Sequence, residues 1–174
     1  MRKALAGVAA GLVVVGVGVL DAQRQRASPH EKAQATVDGA SVAIEYGRPY
    51  MKGRKIVGGL VPFDKVWRTG ADEATTLTTD KTLTFGSLSV PAGKYTLYTV
   101  PGEKEWTLIV NKQTGQWGTQ YDQAQDLARV DLKVAATTAP VEQFTITLAG
   151  TGAAAGLLTM EWENTKLTIP FTVK

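Results

Sequence analysis

No cysteine occurs anywhere in the chain, and there is only one histidine, His30. The first absence excludes disulfides, a lipid-modified N-terminal cysteine, thiolate nucleophiles and thiolate-held metals. The second excludes a zinc site built on three histidines, and no D-x-D-x-D-G loop is present for calcium. Neither a metal site nor a cofactor is therefore expected. Also missing are G-x-x-x-x-G-K-[ST], G-x-S-x-G, H-E-x-x-H and a G-x-G-x-x-G following a strand, which weighs against a nucleotide hydrolase, a serine hydrolase or a zinc protease. Long Glu/Lys/Leu-rich runs of helical period are absent too, while Thr, Val and Gly are plentiful. That balance favours strands joined by tight turns.

What is present begins with an export signal. Met1-Arg2-Lys3 is basic, residues 4–20 are uncharged and apolar, and Asp21 restores polarity. The best processing point follows Ala22, although Leu20 is bulkier than the small residue usual two positions earlier. The alternative is an uncleaved anchor, because the seventeen apolar residues lie at the short edge of the roughly 17–25 that span a bilayer. The chain is thus expected to be exported, periplasmic or secreted, and to touch a membrane only through that segment if it is retained. Its formal net charge is +3, and removal of residues 1–22 takes away Arg2, Lys3 and Asp21, leaving the rest nearer to balance. No domain-wide basic face is implied, so nucleic acid is not an expected partner.

Residues 23–34 are polar and without periodicity, and read as a leader; residues 35–174 are expected to form one domain, since compact domains commonly run to about 100–150 residues. Ala35 to Val37 and Ser41 to Tyr46 read as two strands about Asp38-Gly39, the pair preferred in type I′ hairpin turns. Short strand-like runs then follow at regular intervals: Ala74 to Thr79, Thr82 to Phe85, Leu88 to Val90, Lys94 to Val100 and Trp106 to Val110. After a polar excursion from Asn111 to Asp126, with one helical turn expected over Tyr121 to Leu127, strands resume at Arg129 to Val134, Val141 to Leu148, Gly156 to Trp162 and Leu167 to Val173. This spacing predicts an all-β fold, an antiparallel β-sandwich or flattened barrel.

The exception to the strand pattern is the interval from about residue 46 to 73, expected to be one long ordered loop. Pro49, Gly53, Gly58, Gly59, Pro62 and Gly70 interrupt it, while Ile56, Val57, Leu60, Val61, Phe63, Val66 and Trp67 supply apolar surface to pin it down. Loops this long in a compact domain are often functional. Between Arg48 and Arg68 the six cations Arg48, Lys52, Arg54, Lys55, Lys65 and Arg68 stand against the single carboxylate Asp64, a local excess of positive charge.

The runs GRPYMKGRKIVGGLVPFDKVWRTGADEATT, VPAGKYTLYTVPGEKEWTLIVNK and QWGTQYD resemble the domain-of-unknown-function family 2911, a group of exported bacterial proteins. The resemblance extends from about Ser28 to Lys174. It implies an exported, β-rich domain and brings no established activity; Arg48, Lys52, Gly53, Arg54, Trp67, Arg68 and Glu73 are among the positions that match the family's pattern.

From the residues themselves, Arg48, Lys52, Arg54, Lys65 and Arg68 are candidate ligands for an anion, because guanidinium groups bind carboxylate or phosphate through paired hydrogen bonds. The plainer possibility is a solvated basic loop, or Arg68 paired with Asp72 or Glu73. Trp117 and Tyr121, in loop sequence, are candidate stacking platforms for a sugar, whereas Trp106 and Trp162 read as core. Three functions remain open: a module binding an anionic small molecule or glycan of the cell envelope; a hydrolase of envelope carbohydrate or ester, with Glu73 as general base and Arg68 as electrostatic stabiliser; and a structural or partner-binding envelope protein. Asp72 and Glu73, if on a strand, would point to opposite faces and could not act as a pair. His30 reads as a lone surface residue.

Overall fold

The computed structural model describes residues 27–174. The expected export signal and the first residues of the expected leader lie outside the described part. Nine antiparallel strands form one sheet in the order β1-β2-β3-β6-β7-β8-β9-β4-β5. The strands are β1 (His30–Val37), β2 (Ala40–Gly47), β3 (Thr76–Thr79), β4 (Leu83–Phe85), β5 (Leu88–Val90), β6 (Gly93–Val100), β7 (Trp106–Asn111), β8 (Asp126–Gly150) and β9 (Ala155–Val173). The sheet is not closed into a barrel, so of the two expected architectures the open, folded-over one is found. Among the described residues no helix is long and apolar enough to cross a membrane.

The first hairpin follows from its turn. Asp38 and Gly39 have φ of 49° and 70°, the left-handed pair that a two-residue type I′ connection requires, and Val37 faces Ala40 across it. Counting back along that register puts His30 opposite Gly47. Strand β1 therefore takes in His30 to Gln34, which composition alone placed in the leader.

Two strands are longer than expected. Arg129 to Val134 and Val141 to Leu148 are parts of the single 25-residue β8, and Gly156 to Trp162 and Leu167 to Val173 are parts of the 19-residue β9. The apparent breaks are register shifts between Ala136 and Val141 and between Val141 and Thr145. Bulges of this kind bend a strand without ending it, which is why the alternation lapses there although pairing continues. β8 pairs with β7 over residues 126–132 and with β9 from Lys133 to Gly150, so this one strand joins the two arms of the sheet around one core. Val42, Ile44 and Tyr46 of β2, Leu97 of β6, Leu108 of β7, Phe144 and Ile146 of β8, and Met160 and Phe171 of β9 share that core. Tyr46 locks the two arms together: its hydroxyl accepts from Ile146 N at 2.8 Å, and its ring meets that of Phe144 edge-on at 5.7 Å. Burial pushes the Tyr46 hydroxyl above its ordinary pKa, keeping it a neutral partner to the backbone.

Residues 48–75 connect β2 to β3 with no strand of their own and cross the open end of this core. Their order has identifiable causes. Ile56 and Val61 are buried, a contribution of roughly 1.5–3 kcal/mol each. The carboxylate of Glu163 accepts from both Ile56 N (3.2 Å) and Val57 N (3.1 Å), that of Glu142 accepts from Lys52 N (2.9 Å), and Trp67 and Thr99 exchange backbone hydrogen bonds at 2.8 and 3.0 Å. Distant strands thus supply the partners that a loop cannot supply for itself.

Candidate functional site

The long loop does more than cover the core; it walls a cavity of about 520 Å³. The floor is aromatic. Trp67 and Trp162 stack with ring centroids 5.7 Å apart and planes 20° from parallel, and Trp67 also meets Trp106 and Phe144 edge-on at 6.3 and 5.1 Å. Trp106 and Trp162 are buried, as their strand positions suggest. The walls carry Tyr50, Lys52, Arg54, Arg68 and Asp72. Three cations against one carboxylate leave the cavity with a positive balance.

Among the described residues none of the three cationic side chains is ion-paired with a carboxylate. Arg54 donates from Nε to Met51 O at 2.9 Å and from NH2 to Tyr50 O at 2.6 Å. Lys52 sits at φ 50°, its backbone N held by Glu142. Arg68 donates from Nε to Gly70 O at 3.2 Å, and among the described residues it makes no ion pair with Asp72 or Glu73. Its aliphatic stem passes over Gly118, where an added Cβ would stand 2.7 Å from Arg68 Cδ and 2.8 Å from Asp72 O. Only glycine permits that approach.

Of the residues expected to meet a ligand, Lys52, Arg54 and Arg68 are brought together at this cavity. Arg48 is committed elsewhere: it is ion-paired with Glu31, donates from Nε to Phe144 O at 3.0 Å and from NH2 to Thr145 Oγ1 at 2.8 Å, tying β1 to β8. Lys65 is exposed and does not line the cavity. Tyr121 lines a second hollow of about 160 Å³ with Val66, Tyr98, Thr119, Trp67 and Arg68, the last two being common to both cavities. Its hydroxyl donates to Asp126 Oδ2 at 2.7 Å and accepts from Arg129 NH2 at 2.9 Å. Burial, reinforced by the Asp126 carboxylate, pushes that hydroxyl up to about 12.

Trp117 is 49% exposed and lies across from Glu73 in a single antiparallel bridge. The flanking bonds, Ala74 N to Gln116 O (3.2 Å) and Gly118 N to Asp72 O (3.0 Å), make Glu73 and Trp117 a close, non-hydrogen-bonded pair with side chains on one face. Glu73 in turn meets His30, Nε2 to Oε2 at 2.8 Å, with side chains 39% and 43% exposed. Asp72 joins them: one donor atom from each of His30, Asp72 and Glu73 lies within 4.8 Å of the others. The strand alternation that would have separated the two carboxylates does not apply, because Asp72 has φ 65° and is not in a strand. His30 is therefore part of a cluster and not a lone surface residue.

A family model for a protein of unknown function, DUF2911, matches residues 28–171. The chain belongs to this DUF2911 family. Neither a curated protein nor a solved structure gives a significant match. The DUF2911 match takes in every residue of the cavity except Ala27, and all of the His30, Asp72 and Glu73 cluster.

Proposed function

We propose that this DUF2911 protein is an exported binding module whose cavity takes an anionic ligand of the cell envelope: a sugar acid or a phosphate-bearing glycan. The observation that carries the reading is the pairing, in one 520 Å³ space, of Lys52, Arg54 and Arg68 with the aromatic surface of Tyr50, Trp67 and Trp162. Guanidinium groups recognise the planar carboxylate or the phosphate, and aromatic rings present apolar area to the sugar face. Export is supported by the basic and then apolar N-terminal segment.

A thermal-shift panel of sugar acids, their neutral counterparts and phosphates on the purified protein tests this. A ligand that binds only the folded state raises stability by roughly 2.7 kcal/mol at a hundredfold excess over Kd. The reading expects a stabilising acid whose effect disappears in Arg68→Ala. A panel without a stabilising acid, or one whose effect survives in that variant, contradicts it.

A second reading, hydrolysis of a carbohydrate or ester, is favoured by one observation. The half-exposed carboxylate of Glu73 stands beside His30 and next to Asp72 of the cavity wall, within reach of solvent. In this reading Glu73 or His30 takes a proton from water and Arg68 stabilises developing negative charge. Turnover of a stabilising ligand, lost in Glu73→Gln while binding persists, would establish it.

A further inference from the structure

We infer that His30, Asp72 and Glu73 form a binding site for a divalent metal ion, of the class that accepts mixed nitrogen and oxygen ligands. The donor set is one imidazole and two carboxylates, which suits zinc and manganese better than magnesium or calcium, whose preference is for oxygen alone. The geometry supports this. Neighbouring ligands about 2.1 Å from a metal are roughly 3–3.5 Å apart. The His30–Glu73 separation of 2.8 Å and the 4.8 Å limit on the whole set bracket that range, so small side-chain rotations suffice.

Three donors come from two elements that the fold holds firmly in place. His30 opens β1, whose register against β2 is fixed by the Asp38-Gly39 turn, and Arg48 N donates to Pro29 O at 2.8 Å beside it. Asp72 and Glu73 close the long loop, held by the paired segment 116–118. Asp72 is turned out of strand alternation by its left-handed backbone, a conformation that Asp adopts more readily than most residues. Two adjacent carboxylates and an imidazole therefore meet at one point. A divalent ion there takes one ligand atom from each of the three residues and keeps coordination positions for water or an incoming ligand, as three-ligand protein sites do.

Asp72 is also part of the cavity wall, so an acid bound in the cavity lies close enough to complete the ion's shell. This last step, unlike the metal site itself, rests on the anion-binding reading. Metal and acid would then strengthen each other's binding by the same factor.

The test uses untagged protein, freed of metal, titrated with zinc and manganese by calorimetry in the absence of any other ligand. One equivalent should bind, and affinity should fall about tenfold or more in both His30→Ala and Glu73→Gln. Their melting temperatures in metal-free buffer separate loss of a ligand from loss of the fold. Trp117 provides a second readout: cobalt(II) should quench its fluorescence, and Trp117→Phe should lose most of the quenching while keeping calorimetric binding. Arg68→Ala should bind metal normally, so failure of the anion-binding reading leaves the metal site standing. No binding by the wild type, or full affinity in both His30→Ala and Glu73→Gln, overturns the inference.

Discussion

Two irregular regions interrupt the sheet, the loop of residues 48–75 and the excursion of residues 112–125, and both combine glycine, aromatic and charged residues. Their polar groups are used in opposite ways. In the excursion its own groups tie it to the flanking strands: Tyr121 bonds Asp126 and Arg129 of β8, Gln116 donates to Tyr98 of β6 at 3.0 Å, Asn111 of β7 donates to Asp122 O at 2.8 Å, and Tyr98 donates to Gln120 O at 3.2 Å. In the long loop the fastening is done from outside, by Glu142, Glu163 and Thr99, so Lys52 and Arg68 do not have to close the loop and instead line a cavity. The lesson is that composition marks a loop as eventful, while the source of its anchoring hydrogen bonds decides whether its charges are structural or available.

The largest effect that would break this contrast is on affinity. Replacing Lys52, Arg54 and Arg68 together with Ala should weaken acid binding by about a hundredfold or more, corresponding to roughly 2.7 kcal/mol or more. Arg129→Ala, at the β8 residue that holds the excursion's Tyr121, should leave affinity unchanged. Calorimetric titration of both proteins with the same acid checks the pair.

Next in size is stability at the point where the two regions touch. Gly118→Ala places a methyl group 2.8 Å from the backbone oxygen of Asp72, which cannot move aside as a side-chain end can, and should cost about 1–3 kcal/mol in chemical denaturation. Arg48→Ala should cost about 2 kcal/mol, since it removes charged hydrogen bonds to Phe144 O and Thr145 that join β1 to β8. It should leave ligand affinity intact, separating the arginine that holds the fold from those that line the cavity.

A smaller effect is expected from pH. Tyr121 is neutral in the folded protein up to about 12, against 10.0 for an ordinary tyrosine. The unfolded chain therefore releases this proton first. The associated stability is complete below pH 10 and is lost as pH rises from 10 through about 12. Melting temperatures across that interval should fall less steeply in Tyr121→Phe. Smallest of all, Trp117→Phe at an exposed position should change stability by no more than about 0.5 kcal/mol.

Much of this architecture was legible in the sequence. The Asp-Gly turn, the all-β class, the short strands from Thr76 to Asn111 and the long loop all follow from turn chemistry and two-residue alternation. What escaped was whatever depended on distant partners. Bulges in β8 look like strand ends when only local alternation is read. Arg48, Lys52 and Arg68 carry the same charge on the same loop, and nothing local says that Glu31 and β8 claim the first while the others line a cavity. His30 was partly recoverable, because extending the hairpin register back from Asp38-Gly39 sets it against Gly47 at the mouth of the loop. The convergence of Asp72 with Glu73 was not, since it depends on a left-handed backbone at Asp72 that its sequence neighbours do not announce.

The central claim is that the cavity selects an acid through Lys52, Arg54 and Arg68 while its aromatic floor tolerates the sugar. The most direct measurement is paired calorimetry of the purified protein with a sugar acid and its neutral parent, at low and high salt. The account predicts that the acid binds, that the neutral sugar binds at least tenfold more weakly, and that added salt narrows the gap by screening exposed charge. Equal binding of the two sugars, or an acid affinity that neither salt nor Arg68→Ala alters, would contradict it.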